Sequence, residues 1–135
     1  MAAHRGSLAQ IDWISRKKAR GGRLMYRTYE EFWVYYVSEH LKPSTRFWHA
    51  VGTTGVLVLL VGIVWQQAWW WLLLVPIFGY GPAWFSHFFI ERNRPATFTY
   101  PLWSLRADFR MYRLLLTGRM GREVKRAETW LARQN

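Results

Sequence analysis

Imidazole exchanges protons near neutrality and also ligates transition metals, so the four histidines of this chain are the first residues to place. His4 falls in a charged N-terminal stretch, which leaves His40, His49 and His87. His49 comes eighteen residues before Gln67, and His87 twenty residues after it. If the chain reverses at Gln67 as two antiparallel helices, those offsets bring both rings to nearly the same height. His40 is separated from His49 by a short stretch containing Pro43, and a tight turn there carries it to the same level. Glu91 follows His87 by four residues, which on a helix is the same face. Imidazoles with a carboxylate suit iron(II), zinc or manganese, and iron-dependent oxygen chemistry needs such a set with open positions. The candidate metal ligands are therefore His40, His49, His87 and Glu91. The simpler alternative makes each histidine a hydrogen-bonded anchor and pairs Glu91 with Arg94 or Lys42.

The elements that must position these residues follow from hydropathy and charge. Residues 47–90 contain no Asp, Glu, Lys or Arg, while both flanks are rich in Arg and Lys. Two apolar runs, 47–65 and 69–90, are each long enough to cross the hydrocarbon of a bilayer at ~1.5 Å per residue. The uncharged connection Gln66-Gln67-Ala68 holds no domain, so the runs are expected to be antiparallel neighbours. The fold class expected is an all-α membrane protein: a two-span transmembrane helical hairpin flanked by amphipathic interfacial helices. Lys42 and Arg46 precede the first span and Arg92 and Arg94 follow the second, which puts both termini on the cytoplasmic side, the inner membrane if the source is bacterial. Trp65, Trp69, Trp70 and Trp71 then mark the far interface. Polar and ionisable groups held at membrane depth are costly, which makes the histidines functional candidates.

Before the spans, Thr28 and Glu31 form a capping box, with Tyr29, Phe32, Trp33, Tyr36, Val37, His40 and Leu41 on one face of a helix that should end near Lys42, ahead of Pro43. Ser44 and Thr45 are expected to cap the first span. Pro76, Gly79, Gly81 and Pro82 should bend the second span or let backbones approach closely. Residues 101–117 set Leu102, Leu105, Phe109, Tyr112, Leu115 and Leu116 against Arg106, Arg110 and Arg113, the pattern of an interfacial helix with snorkelling arginines. The chain thus divides into a basic leader (1–27), a membrane-embedded helical domain (28–117) and a polar, helical tail (118–135).

Composition removes other classes. Without cysteine there is no disulfide framework and no thiolate chemistry. The net charge of +11 with ten Trp could indicate a nucleic-acid binder, but aromatics beside a long uncharged block belong to a membrane interface, so no nucleic acid is expected as a partner. The leader lacks the apolar core of a signal peptide. A transporter would need a homo-oligomer, since two spans alone make no path.

Two blocks carry a family resemblance: His40-Leu41-Lys42-Pro43 followed by His49 and Gly52, and His87-Phe88-Phe89-Ile90-Glu91 leading into Asn93-Arg94-Pro95-Ala96. With the stretch from Pro101 through Phe109-Arg110-Met111, they resemble the Mpo1-like family across residues 29–117. That resemblance implies an iron(II)-dependent dioxygenase that shortens 2-hydroxy fatty acids by one carbon, released as CO2, in fatty acid α-oxidation. It implies iron binding at His40, His49 and His87, with O2, a 2-hydroxy fatty acid or related lipid, and membrane lipids as partners. Glu91 would be a further ligand or a catalytic base, and Arg46, Arg92 and Arg94 would bind the substrate carboxylate. The chain departs from the pattern at Thr45, at Thr53-Thr54 and at Ser86, and none of these removes a histidine. The rival reading is a non-catalytic membrane lipid-binding or accessory protein with a structural histidine or zinc site.

Overall fold

The computed structural model describes residues 26–134, and most of the basic leader lies outside the described residues. Among the described residues there are five α-helices and no strand. Helix α1, Tyr29–Ser38, begins as its capping box dictates. Thr28 is extended and its Oγ1 accepts from the Glu31 amide at 3.2 Å, while the Glu31 carboxylate reaches back to the Arg27 amide at 3.0 Å. The helix ends at Ser38, earlier than Lys42, because the chain tightens there, with the His40 amide bonding the Val37 carbonyl at 2.9 Å. Arg46 then takes up the carbonyls of His40 and Leu41, at 2.8 and 2.6 Å.

Helix α2, Pro43–Gln66, starts on a proline that needs no amide partner in the first turn. Neither Ser44 nor Thr45 caps it: Lys42 holds the N-cap position, and the Thr45 hydroxyl donates to Glu91 Oε1 at 2.8 Å. The far end closes at Gln67, whose left-handed backbone (φ 53°) sends its amide to the Ile63 carbonyl. The second apolar run is continuous but not one regular helix. A 3-10 turn over Trp69–Leu74 leads into α3, Val75–Phe85, which relaxes into a π-helical turn over Ser86–Glu91.

Residue pairs run in opposite order along the α2/α3 seam: Trp48 meets Phe85, Gly55 meets Phe78, and Gly62 meets Trp71. The closest approach is at Gly52, where a Cβ would lie 3.1 Å from the Phe78 carbonyl oxygen and 3.2 Å from that of Gly79. Pro82 has no N–H to offer the Phe78 carbonyl, and that oxygen is the one turned toward Gly52. Pro43–Gln66 and Trp69–Glu91, 24 and 23 residues long, are each long and apolar enough to span a membrane. Their outer faces stay uncovered by protein, with Val58, Val61 and Leu73 exposed at 66, 68 and 78%.

The packed core lies instead around α1. Phe32, Trp33, Tyr36 and Val37 are buried against Ala107 and Met111 of α4, Pro101–Leu116, and against Met120 and Ala127 of α5, Met120–Ala132. Helix α4 turns Ser104, Ala107 and Met111 inward, and its row of Leu102, Leu105, Phe109 and Leu116 is exposed. Two of its arginines do not extend outward as expected: Arg106 lies 4.0 Å above the Tyr29 ring, and Arg110 lies 4.2 Å above Trp33 while pairing with Glu30 at 2.7 Å. The C-terminal segment is more than a polar tail, since Glu123 of α5 accepts the Trp33 indole N–H at 2.6 Å.

Candidate metal centre

Three elements deliver the three imidazoles. His40 stands just beyond the end of α1, His49 in the second turn of α2, and His87 in the π-helical turn. A π turn rotates side chains relative to a regular helix and recurs at functional sites. All three rings are buried, at 0, 6 and 2% exposure. Their Nε2 atoms converge: His49 Nε2 lies 3.1 Å from that of His40 and 3.2 Å from that of His87. One ligating atom from each lies within 4.8 Å of both others.

The opposite ring nitrogens settle the tautomers. His40 Nδ1 is 2.5 Å from the Tyr36 carbonyl, which can only accept, so that nitrogen carries hydrogen. His49 Nδ1 is 2.9 Å from Asp108 Oδ1, a carboxylate oxygen that also accepts the Tyr36 hydroxyl. His87 Nδ1 is 2.7 Å from Asn93 Oδ1. The orientation of that amide is fixed from its other side, because Asn93 Nδ2 donates to the Glu39 backbone carbonyl at 3.1 Å and to its carboxylate at 2.7 Å. Each Nδ1 is thus a donor, which in the neutral form of the ring leaves Nε2 as the free acceptor. Burial, followed by the facing His49 and His87 rings, pushes the His40 imidazole well below its usual range and keeps it neutral.

In that neutral form three lone pairs face one another, an arrangement that a cation among them relieves. Nitrogens about 2.1 Å from one ion sit roughly 3.0 Å apart at right angles and about 3.4 Å apart in a tetrahedron. The two separations from His49, 3.1 and 3.2 Å, fall inside that interval, and the three ligating atoms all lie within 4.8 Å of one another. Backing each ligating imidazole through its second nitrogen is the arrangement that orients metal ligands and raises their basicity. The three residues form a group that could hold a metal ion, and imidazole donors suit a divalent transition metal.

The other residues singled out in the sequence take different places. Glu91 is outside the three-imidazole group; its Oε1 accepts from the Lys42 amide at 3.0 Å and from Thr45 at 2.8 Å. Arg46 is occupied with the corner carbonyls after α1. Arg92 and Arg94 are exposed, Arg92 in a left-handed conformation and Arg94 over the Phe98 ring at 5.2 Å. Between them stands Asn93, bonded to His87. The sequence reading missed Asp108, Asn93 and Tyr36 as partners of the histidines. The signal for Asp108 was its being the lone acid on α4, among three arginines.

A buried group of three imidazoles that could hold a metal ion, at the end of two apolar helices, marks the chain as a helical protein with a candidate metal centre. The chain belongs to the Mpo1-like family, described as 2-hydroxy-palmitic acid dioxygenase Mpo1-like, whose match covers residues 26–120. The match includes all three histidines together with Asp108 and Asn93, and it stops where α5 begins. Neither the curated proteins nor the solved structures contain a match to the chain.

Proposed function

We propose that this protein is an iron(II)-dependent dioxygenase that removes the carboxyl carbon of 2-hydroxy fatty acids. The observation that carries this reading is the convergence of three Nε2 lone pairs with every Nδ1 committed to an acceptor. Membership of the Mpo1-like family, whose description names a 2-hydroxy-palmitic acid dioxygenase, supports this reaction class. The overall change is balanced by O2 alone: a 2-hydroxy acid and O2 give the shortened acid, CO2 and water. Iron(II), when bound, supplies the one-electron chemistry that lets O2 react with a closed-shell substrate.

The remaining tasks fall to the chain's own residues. His40, His49 and His87 hold the ion, and the Tyr36 carbonyl, Asp108 and Asn93 orient their rings. Arg92 and Arg94, exposed on either side of Asn93, receive the substrate carboxylate at the mouth of the site. Arg46 and Glu91 keep the corner closed rather than touching substrate or ion.

In this reading α2 and the run Trp69–Glu91 form a transmembrane hairpin, which the uncovered Val58, Val61 and Leu73 support. Both termini then lie on the cytoplasmic side with the arginines, and the exposed Trp65, Trp69 and Trp70 lie at the opposite interface. The row Leu102, Leu105, Phe109 and Leu116 of α4 enters the inner interface. The apolar chain of the substrate arrives from the same leaflet.

The test is metal analysis of anaerobically purified protein followed by oxygen uptake with 2-hydroxypalmitate. Bound iron, oxygen consumption and release of CO2 with the one-carbon-shorter acid are expected. Tightly held zinc with no oxygen uptake would overturn the enzyme and favour a lipid-binding or accessory protein with a structural site.

A further inference from the structure

Tyr36 touches two of the three histidines by separate routes. Its carbonyl accepts His40 Nδ1–H at 2.5 Å, and its ring stacks on the His40 ring with centroids 4.1 Å apart and planes inclined by 24°. Its hydroxyl donates to Asp108 Oδ1, the same oxygen that accepts His49 Nδ1–H at 2.9 Å. The residue is 2% exposed, while Asp108 retains partial access to solvent. The carboxylate oxygen can only accept, so the Tyr36 hydroxyl donates to it.

One carboxylate oxygen therefore serves two donors that compete for it. The more its charge is drawn to the phenol, the less remains to polarise the His49 N–H, and the weaker His49 becomes as a ligand through Nε2. We propose that Tyr36 and Asp108 form a tuning pair: Asp108 is the positioning residue that strengthens His49 as a ligand, and the Tyr36 hydroxyl limits that strengthening. The proposal rests on the reading that the three Nε2 atoms hold an ion. It predicts opposite responses to two near-isosteric substitutions. Asp108→Asn keeps an oxygen that can accept both donors but removes the charge. Tyr36→Phe keeps the ring, the stacking and the backbone carbonyl, and leaves Asp108 to His49 alone.

The experiment uses the full chain, with Co(II) as the probe and affinity measured by competition with a chelator. Asp108→Asn should weaken Co(II) binding roughly 10- to 100-fold, the usual effect of losing such a partner. Tyr36→Phe should tighten it, by a smaller factor. In the iron-loaded protein the midpoint potential should move positive in Asp108→Asn, where a charge favouring iron(III) is lost, and negative in Tyr36→Phe. A disturbance of packing alone would weaken both variants together, and a common direction in the two would overturn the tuning pair. Should Asp108→Asn not fold, the sign of the Tyr36→Phe shift decides, because that variant leaves the packed ring in place. A wild-type chain that binds no Co(II) would instead overturn the ion site itself.

Discussion

The two ends of the α2/α3 pair are closed by different means. At the Gln67 end the reversal needs little more than backbone: a left-handed residue, two amides on the Ile63 carbonyl, and the Gln67 side chain on Val64. At the other end side chains close the joint. Lys42 Nζ bonds the Ile90 carbonyl at 2.6 Å, Glu91 gathers the Lys42 amide and Thr45, and Asn93 reaches Glu39 across the corner. A turn made of backbone hydrogen bonds can sit at an apolar end with no further partners. A joint that must hold three imidazoles in fixed orientation needs polar contacts from several elements, and α1, α4 and Asn93 just after the π turn all supply them.

The sharpest break of this contrast compares the core around α1 with the uncovered apolar helices. Trp33→Ala, at a site with no exposure, should cost about 3–5 kcal/mol of stability. Leu73→Ala, at 78% exposure, should change the unfolding midpoint in detergent by no more than about 0.5 kcal/mol equivalent. If the two cost the same, the helices are covered by something other than lipid or detergent.

Within the seam the contrast is between two glycines. Gly52→Leu should cost about 1–3 kcal/mol, because the Phe78 and Gly79 carbonyls leave it no room, and it should weaken ion binding through nearby His49. Gly81→Ala meets nothing within 4 Å and should stabilise α3 by up to about 1 kcal/mol through helix propensity. Thermal unfolding of the pair checks both signs.

At the corner, Glu91→Ala strands the buried Thr45 hydroxyl and should cost about 1–2 kcal/mol, whereas Glu91→Gln keeps an acceptor and should cost less. Metal content should stay unchanged in Glu91→Gln; its loss would return Glu91 to the ligand set. The smallest effect is expected on the outer surface. The Arg110 hydrogen bond holds the Glu30 carboxyl below its usual range. Its contribution is therefore complete above the ordinary carboxylate pKa and fades as pH falls through the lowered value. Because Glu30 is exposed, the effect should stay under about 1 kcal/mol and shrink with salt. Subtracting the acid-side melting profile of Glu30→Gln from that of the parent isolates it.

Much of this architecture could be read from residue order, for physical reasons. A capping box and an apolar face are local patterns, and Thr28, Glu31 and the buried face of α1 lie where those patterns put them. The histidines could be matched because helical rise converts sequence distance from Gln67 into height. Asp108 was not legible as a partner of His49, since it is fifty-nine residues away on a helix whose direction no local pattern sets. Asn93 was hidden by the left-handed Arg92, which turns the chain back so that the Asn93 amide meets the His87 carbonyl at 3.0 Å. Ser44 and Thr45 have the right types for a cap, but Pro43 begins the helix and Glu91 claims the threonine. The exposed row of α4 was visible as an apolar stripe, yet nothing in it showed that the neighbouring face, Ser104 to Met111, packs the core.

The proposed centre is one ion shared by three side chains. Replacing His40, His49 and His87 singly by Ala and counting metal bound per chain, alongside a circular dichroism check of helix content, tests it directly. The wild-type chain should bind one ion, and each variant should lose it while keeping its helices. Full metal occupancy in any one of the three would contradict a shared centre.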